Sequence, residues 1–178
     1  MPKIITARRL EGEHDKALEY IKGHILFPSG LLGLIFMVAG MASLAYQFMA
    51  LSYDARTFAE SFGLLAVGAL LGWGQTRYHQ YVLREDPGYF AARMRVYSKA
   101  GQRRLRKESV SSGVVHRGKE AVPFLYLLGV ALLLSASAWI SFAGRTYYVA
   151  AFLMPWAGFF WAKMFFWRGL LKEVQSKR

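Results

Sequence analysis

Cysteine is absent from the 178 residues, which excludes disulfides, thiolate metal sites and any covalent thiol mechanism, and leaves oxidising and reducing compartments equally open. Acidic residues are also scarce, 11 against 23 Lys and Arg. None of HExxH, GxSxG or a P-loop occurs, so the common metallopeptidase, hydrolase and nucleotide chemistries have no motif to stand on. Asp54 and Glu60 are the one carboxylate pair on the short turns, and no nucleophile accompanies them. Nor does any ionisable residue sit at the middle of an apolar run, where it would mark an ion or proton path. On these grounds no catalytic site is assigned and no cofactor is indicated by motif.

What the chain has in excess is apolar sequence. At 54% apolar and 16% aromatic, with positive mean hydropathy, it is greasier than a soluble domain. The apolar residues gather in four runs, Phe27 to Leu51, Phe58 to Gly74, Ala121 to Gly144 and Tyr147 to Trp167. Each reaches or approaches the roughly 20 residues a helix needs to cross about 30 Å of hydrocarbon. No period-2 alternation supports a barrel, and backbone groups without water must bond within their own segment. The expected fold is an all-α integral membrane protein with four transmembrane helices arranged as two antiparallel hairpins, plus cytoplasmic amphipathic helices. Met1 to Lys22 is too polar for a signal peptide.

Charge sets the expected orientation. The stretch from Gln75 to Glu120 holds eleven Lys and Arg against four acids, and the tail from Lys163 adds five against Glu173. The short turns carry only Asp54, Arg56 and Arg145. The positive-inside rule then places both termini and the central loop in the cytoplasm, as for a bacterial inner membrane protein. This sorting accounts for the basic residues, and no nucleic acid is expected as a partner.

The expected organisation is an amphipathic helix over residues 1–26, a first hairpin over 27–74, a basic loop with its own amphipathic helix over 75–120, a second hairpin over 121–167 and a basic tail over 168–178. In the first segment Leu10, Ala17, Leu18, Ile21 and Ile25 form the apolar stripe. Either lipid headgroups or a partner protein fits that stripe. Pro28 and Pro123 are placed to open the first and third spans. The five or six residues between the first two runs make those helices antiparallel neighbours.

Small residues suggest packing faces. Gly68 and Gly72 form a GxxxG pair with Gly63 beside it, a pattern that lets another backbone approach in lipid. It serves either a partner subunit or this chain's own first or third span. Ser137 and Ser141, one turn apart, can bond across helices or to their own backbone. The fourth run offers an aromatic contact face in Trp156, Phe160, Trp161 and Trp167, and Pro155 should kink it. In the central loop Asp86 and Pro87 start a helix with Phe90, Met94 and Tyr97 on one side. Arg93, Arg95, Lys99, Arg103, Arg104, Arg106 and Lys107 surround that stripe, a surface for anionic headgroups or an acidic partner. His24 and His79, at the inner ends of the first two spans, are the only candidate cofactor ligands, for a haem or metal.

The function these features suggest is a non-catalytic accessory or scaffold subunit of a larger membrane complex. It would contact other membrane subunits or copies of itself, and anionic lipid through the basic loop. A small oligomeric transporter or channel is the alternative, and a haem- or pigment-binding subunit the third.

Overall fold

The computed structural model describes residues 12, 14–50, 52–85, 88–91, 93 and 121–176, with side chains as far as Leu171. Four helices are long and apolar enough to cross a membrane: α1 (His14–Met49), α2 (Ala55–Glu85), α3 (Ala121–Ala143) and α4 (Tyr148–Ser176). No strand occurs among the described residues. The chain is therefore read as an integral membrane protein.

The first expectation to change concerns the amphipathic segment. It does not end before Pro28; α1 runs unbroken from residue 14, and the six residues Ile21–Leu26 form a π-helical segment just ahead of the proline. Proline donates no backbone hydrogen bond and its ring crowds the carbonyl four residues earlier. Widening the turn to i→i+5 bonding is the way a helix absorbs such a residue without stopping. The stripe Ala17, Leu18, Ile21 and Ile25 then meets neither lipid nor a partner. It packs on Val82, Leu83, Phe90, Trp167 and Leu171 from this same chain, forming a core at the end of the bundle that carries the basic loop.

The bundle is built around α4. Its contacts with α1 and α2 are extensive and those with α3 fewer, whereas the backbones of α1 from Phe27 on and of α2 rarely come close, the two helices meeting through side chains such as those of the inner core. The first two helices, expected as neighbours, share side-chain contacts, but along the spans it is α4 that each packs against most closely. Small residues on both faces explain why. Gly30 of α1 receives the side chain of Met164, Gly33 that of Trp161 and Gly40 that of Met154.

The α2–α4 crossing is closer still. A Cβ at Gly68 would collide with the carbonyl of Pro155, one at Gly72 with the carbonyl of Phe159, and one at Gly158 with the carbonyl of Leu65. Only glycine permits backbones to meet at this range. With Gly68 and Gly72, the buried stripe on α2 includes Thr57, Ser61, Leu64 and Thr76, at successive spacings of three or four. Ser61 and Thr76 donate to the carbonyls of Thr57 and Gly72, each at 2.8 Å, so their hydroxyls stay inside the interface without an unmet bond. Gly63 does not belong to this face. Five residues before Gly68, it is rotated by about 140° from it, and a Cβ there would meet open space.

At the opposite end two short turns are clasped together. Asp54 accepts from the Thr57 N–H at 2.8 Å and its hydroxyl at 3.0 Å, capping α2, and pairs with Arg145 at 2.7 Å. Thr57's N–H, then its hydroxyl, and the Arg145 guanidinium hold the Asp54 carboxyl below its ordinary value of 3.8. Glu60 takes the N–H groups of Arg145 and Thr146 at 2.9 and 3.1 Å, the Thr146 hydroxyl at 2.9 Å and Arg56 at 2.8 Å. Buried Gln47 donates to the Arg145 carbonyl at 2.6 Å and accepts from the Tyr147 N–H at 3.0 Å. Asp54 and Glu60 are each engaged in holding a turn.

Candidate functional site: an apolar cleft with a polar head

Because α3 touches α4 along one edge and α2 only slightly, a cleft of about 410 Å³ remains between α2 and α3, with Trp156 and Phe159 of α4 as its floor. That volume lies in the range of small-molecule sites. Leu70, Leu71 and Gly74 form one wall and Leu125, Leu128, Gly129 and Leu133 the other. Leu70, Leu125 and Leu128 at the rim are exposed, so the cleft opens sideways.

Its end nearest the basic loop is polar. Gln75, Tyr78 and Tyr126 line it. The Tyr126 hydroxyl lies 2.9 Å from His79 Nε2. Two buried polar atoms in this cluster have no partner, Gln75 Oε1 and His79 Nδ1. Such atoms are rare in folded proteins, since each forfeits the bonds it had with water. Nearby, the Lys163 ammonium lies 5.8 Å from the Phe159 ring centroid, a cation–π arrangement that sends its charge past the cleft floor.

A second groove, about 590 Å³, lies between α1 and α2 over Met154. It is lined by Met37, Met41, Phe48, Phe58 and Phe62, and its one hydroxyl from α2, that of Ser61, is already bonded.

The residues singled out by sequence fall as follows. Gly68 and Gly72 face α4, so the stripe expected to reach a partner or the first or third span is covered by the fourth. Ser137 and Ser141 donate to Leu133 and Ser137 carbonyls at 2.9 and 2.8 Å, within their own helix. The aromatic residues of α4 do not share one face. Trp167 is fully buried in the inner core, Phe160 stacks on Phe36 of α1 at 5.7 Å, Trp156 lines the cleft, and Trp161 is exposed. His24 and His79 do not converge on one cavity. His24 stacks on Tyr20 at 4.9 Å, the Phe90 ring stands between Tyr20 and His79, and His79 Nε2 is engaged by Tyr126. Of the basic loop, Phe90 is buried in the core rather than turned to lipid, and Arg93 lies over the Tyr89 ring and bonds its hydroxyl at 2.6 Å. Met94, Arg95, Tyr97, Lys99, Arg103, Arg104, Arg106 and Lys107 lie outside the described residues, as does Leu10.

Sequence reasoning passed over Gln75 and Tyr126. The available signal was a side-chain amide one residue beyond the second apolar run and a phenol in the second turn of the third, on helices joined by the basic loop. Comparison of the chain with family models, with curated proteins and with solved structures finds no match.

Proposed function

We propose that this protein is a non-catalytic subunit or scaffold of a larger membrane assembly, with α3 as the helix that meets the partner. The observation that carries the proposal is the unequal use of the four helices. The second and fourth spend their small residues on one another, while α3 is attached by one edge and leaves Leu127, Trp139 and Phe142 at 70%, 74% and 92% exposure. In lipid, two helices associate through close packing and hydrogen bonds rather than by expelling water.

In this proposal the chain is arranged as two hairpins with both termini and the basic loop cytoplasmic, the orientation supported by the eleven basic residues between Gln75 and Glu120. Arg93 and the basic residues after it face anionic headgroups. A bacterial inner membrane is the setting that fits that charge bias.

The test is isolation of the full-length protein from its native membrane in a mild detergent, as wild type and as Ala138→Trp. Ala138 is exposed on α3, so the larger ring leaves this chain's own packing intact. Co-purifying membrane subunits, or a second copy, should be present with the wild type and depleted at least about tenfold with the variant, as expected when one interface contact is replaced by a clash. A wild-type species with the mass of one chain and lipid alone would overturn the proposal and bring forward the transporter reading, which liposome flux measures directly.

A further inference from the structure

We infer that the cleft between α2 and α3 is a binding site for one single-chain amphiphile whose head carries a hydroxyl, with the chain lying along Trp156 and the head donating to Gln75 Oε1. The inference stands independently of the assembly proposed above.

Shape argues for a chain. On α2 the lining runs from Leu70 to Tyr78, and on α3 from Val122 to Leu133. At 1.5 Å per residue these stretches span about 12 and 17 Å. A hydrocarbon leaflet is roughly half of a 30 Å core, about 15 Å. The cleft therefore matches one leaflet in depth, the length of one lipid tail, and is too short to seat a partner helix that crosses the whole core. Its axis follows the helices, which is also the direction of the surrounding tails.

Chemistry argues for a hydroxyl at the head. The wall is apolar except at one end, and that end is at the level of Trp73, Arg77 and Tyr81, residue types that settle at the membrane interface. There Gln75 Oε1 is buried and has no hydrogen-bond partner, an acceptor without a donor. Ester and ether oxygens only accept and leave Gln75 as it is. An alcohol, or a protonated fatty acid, supplies the missing O–H while its tail fills the apolar length. Gly129 keeps the site open: a Cβ at that position would meet nothing within 4 Å.

The experiment uses full-length protein in lipid nanodiscs and follows tryptophan fluorescence. The probes are a long-chain alcohol brominated midway along its chain and the methyl ether of the same compound, bromine quenching only an indole it touches. The alcohol should give a saturable component of quenching that is missing in Trp156→Phe and lost in Gly129→Phe, whose ring fills the cleft. It should bind about tenfold more tightly than the ether, the effect of one hydrogen bond to an otherwise unmet buried acceptor. That preference should collapse in Gln75→Leu. Quenching that rises in proportion to probe content and is unchanged by Gly129→Phe would show only surrounding lipid, and would overturn the site. Equal affinity for alcohol and ether would mean that water serves Gln75, and would overturn the assigned head. The probe pair needs no variant, so misfolding of Gly129→Phe leaves the second result decisive.

Discussion

Helices α3 and α4 follow each other through a four-residue turn and are both made largely of leucine and aromatic residues, yet their roles differ. In the most apolar part of each, a third of α4 is buried (33%) against 11% of α3. The difference lies in the small residues. Ala150, Ala151, Ala157 and Gly158 of α4 are buried, and they let neighbouring helices approach from two sides. Gly129 of α3 faces the open cleft instead. In water the greasier helix would be the more deeply buried. In lipid a leucine gains little by exchanging tails for protein, so backbone proximity decides which helix becomes central.

The comparison can be broken most severely at the crossing. Gly158→Leu, Gly68→Leu or Gly72→Leu drives a side chain into a backbone carbonyl that cannot rotate away, and should cost about 3 kcal/mol or more, the upper end for overpacking. Thermal unfolding in detergent reads this. Gly63→Leu, on the same helix but facing open space, should stay within about 0.5 kcal/mol. Equal effects at 63 and 68 would show that α4 does not cross α2 here.

A smaller loss is expected where α4 begins. Gln47→Ala removes a buried amide that serves both the Arg145 carbonyl and the Tyr147 N–H. Stripping partners from such groups costs about 1–3 kcal/mol, and the melting temperature should fall accordingly. Since the clasp fixes the turn between α3 and α4, an unchanged melt would mean that α4 is held by its glycine crossing alone.

Acid should loosen the same clasp. With its carboxyl held below 3.8 in the folded state, Asp54 contributes stability that is complete above that value and is lost as pH falls through the depressed one. Melting temperature should therefore drop on the acid side below about pH 4, and more shallowly in Asp54→Asn. An identical acid limb in the variant would assign the effect to other groups.

The smallest effect on the fold belongs to α3. Trp139→Ala, at 74% exposure, should change stability by less than about 0.5 kcal/mol. A substantial loss measured on the isolated chain would show that α3 is not the loosely held helix.

The contrast between the two helices also marks how far the sequence was legible. Four spans and their approximate limits followed from run length, because crossing a core of fixed thickness is a local requirement that each segment meets by itself. The GxxxG pair announced a close approach but not the helix that makes it. Gly63, adjacent in sequence, was assigned to the same stripe because a list of glycines carries no rotation, whereas five residues of helix do. The amphipathic stripe of residues 17–25 was legible as a buried face. Its partner was not, since Val82, Phe90 and Trp167 come from three distant places in the chain.

By itself, then, the sequence determined that the chain is helical, that four segments are long and apolar enough for a membrane, and where its basic residues gather. Only the tertiary structure decided that the fourth helix is the centre, that Gln47 and Glu60 hold the second turn, and that Gln75, Tyr126 and His79 meet at the end of a cleft. The physical reason is that span length and charge sum along the chain, whereas contacts between helices depend on rotation and register. In lipid those are chosen by which small faces fit together, and no hydrophobic gradient in the sequence records that choice.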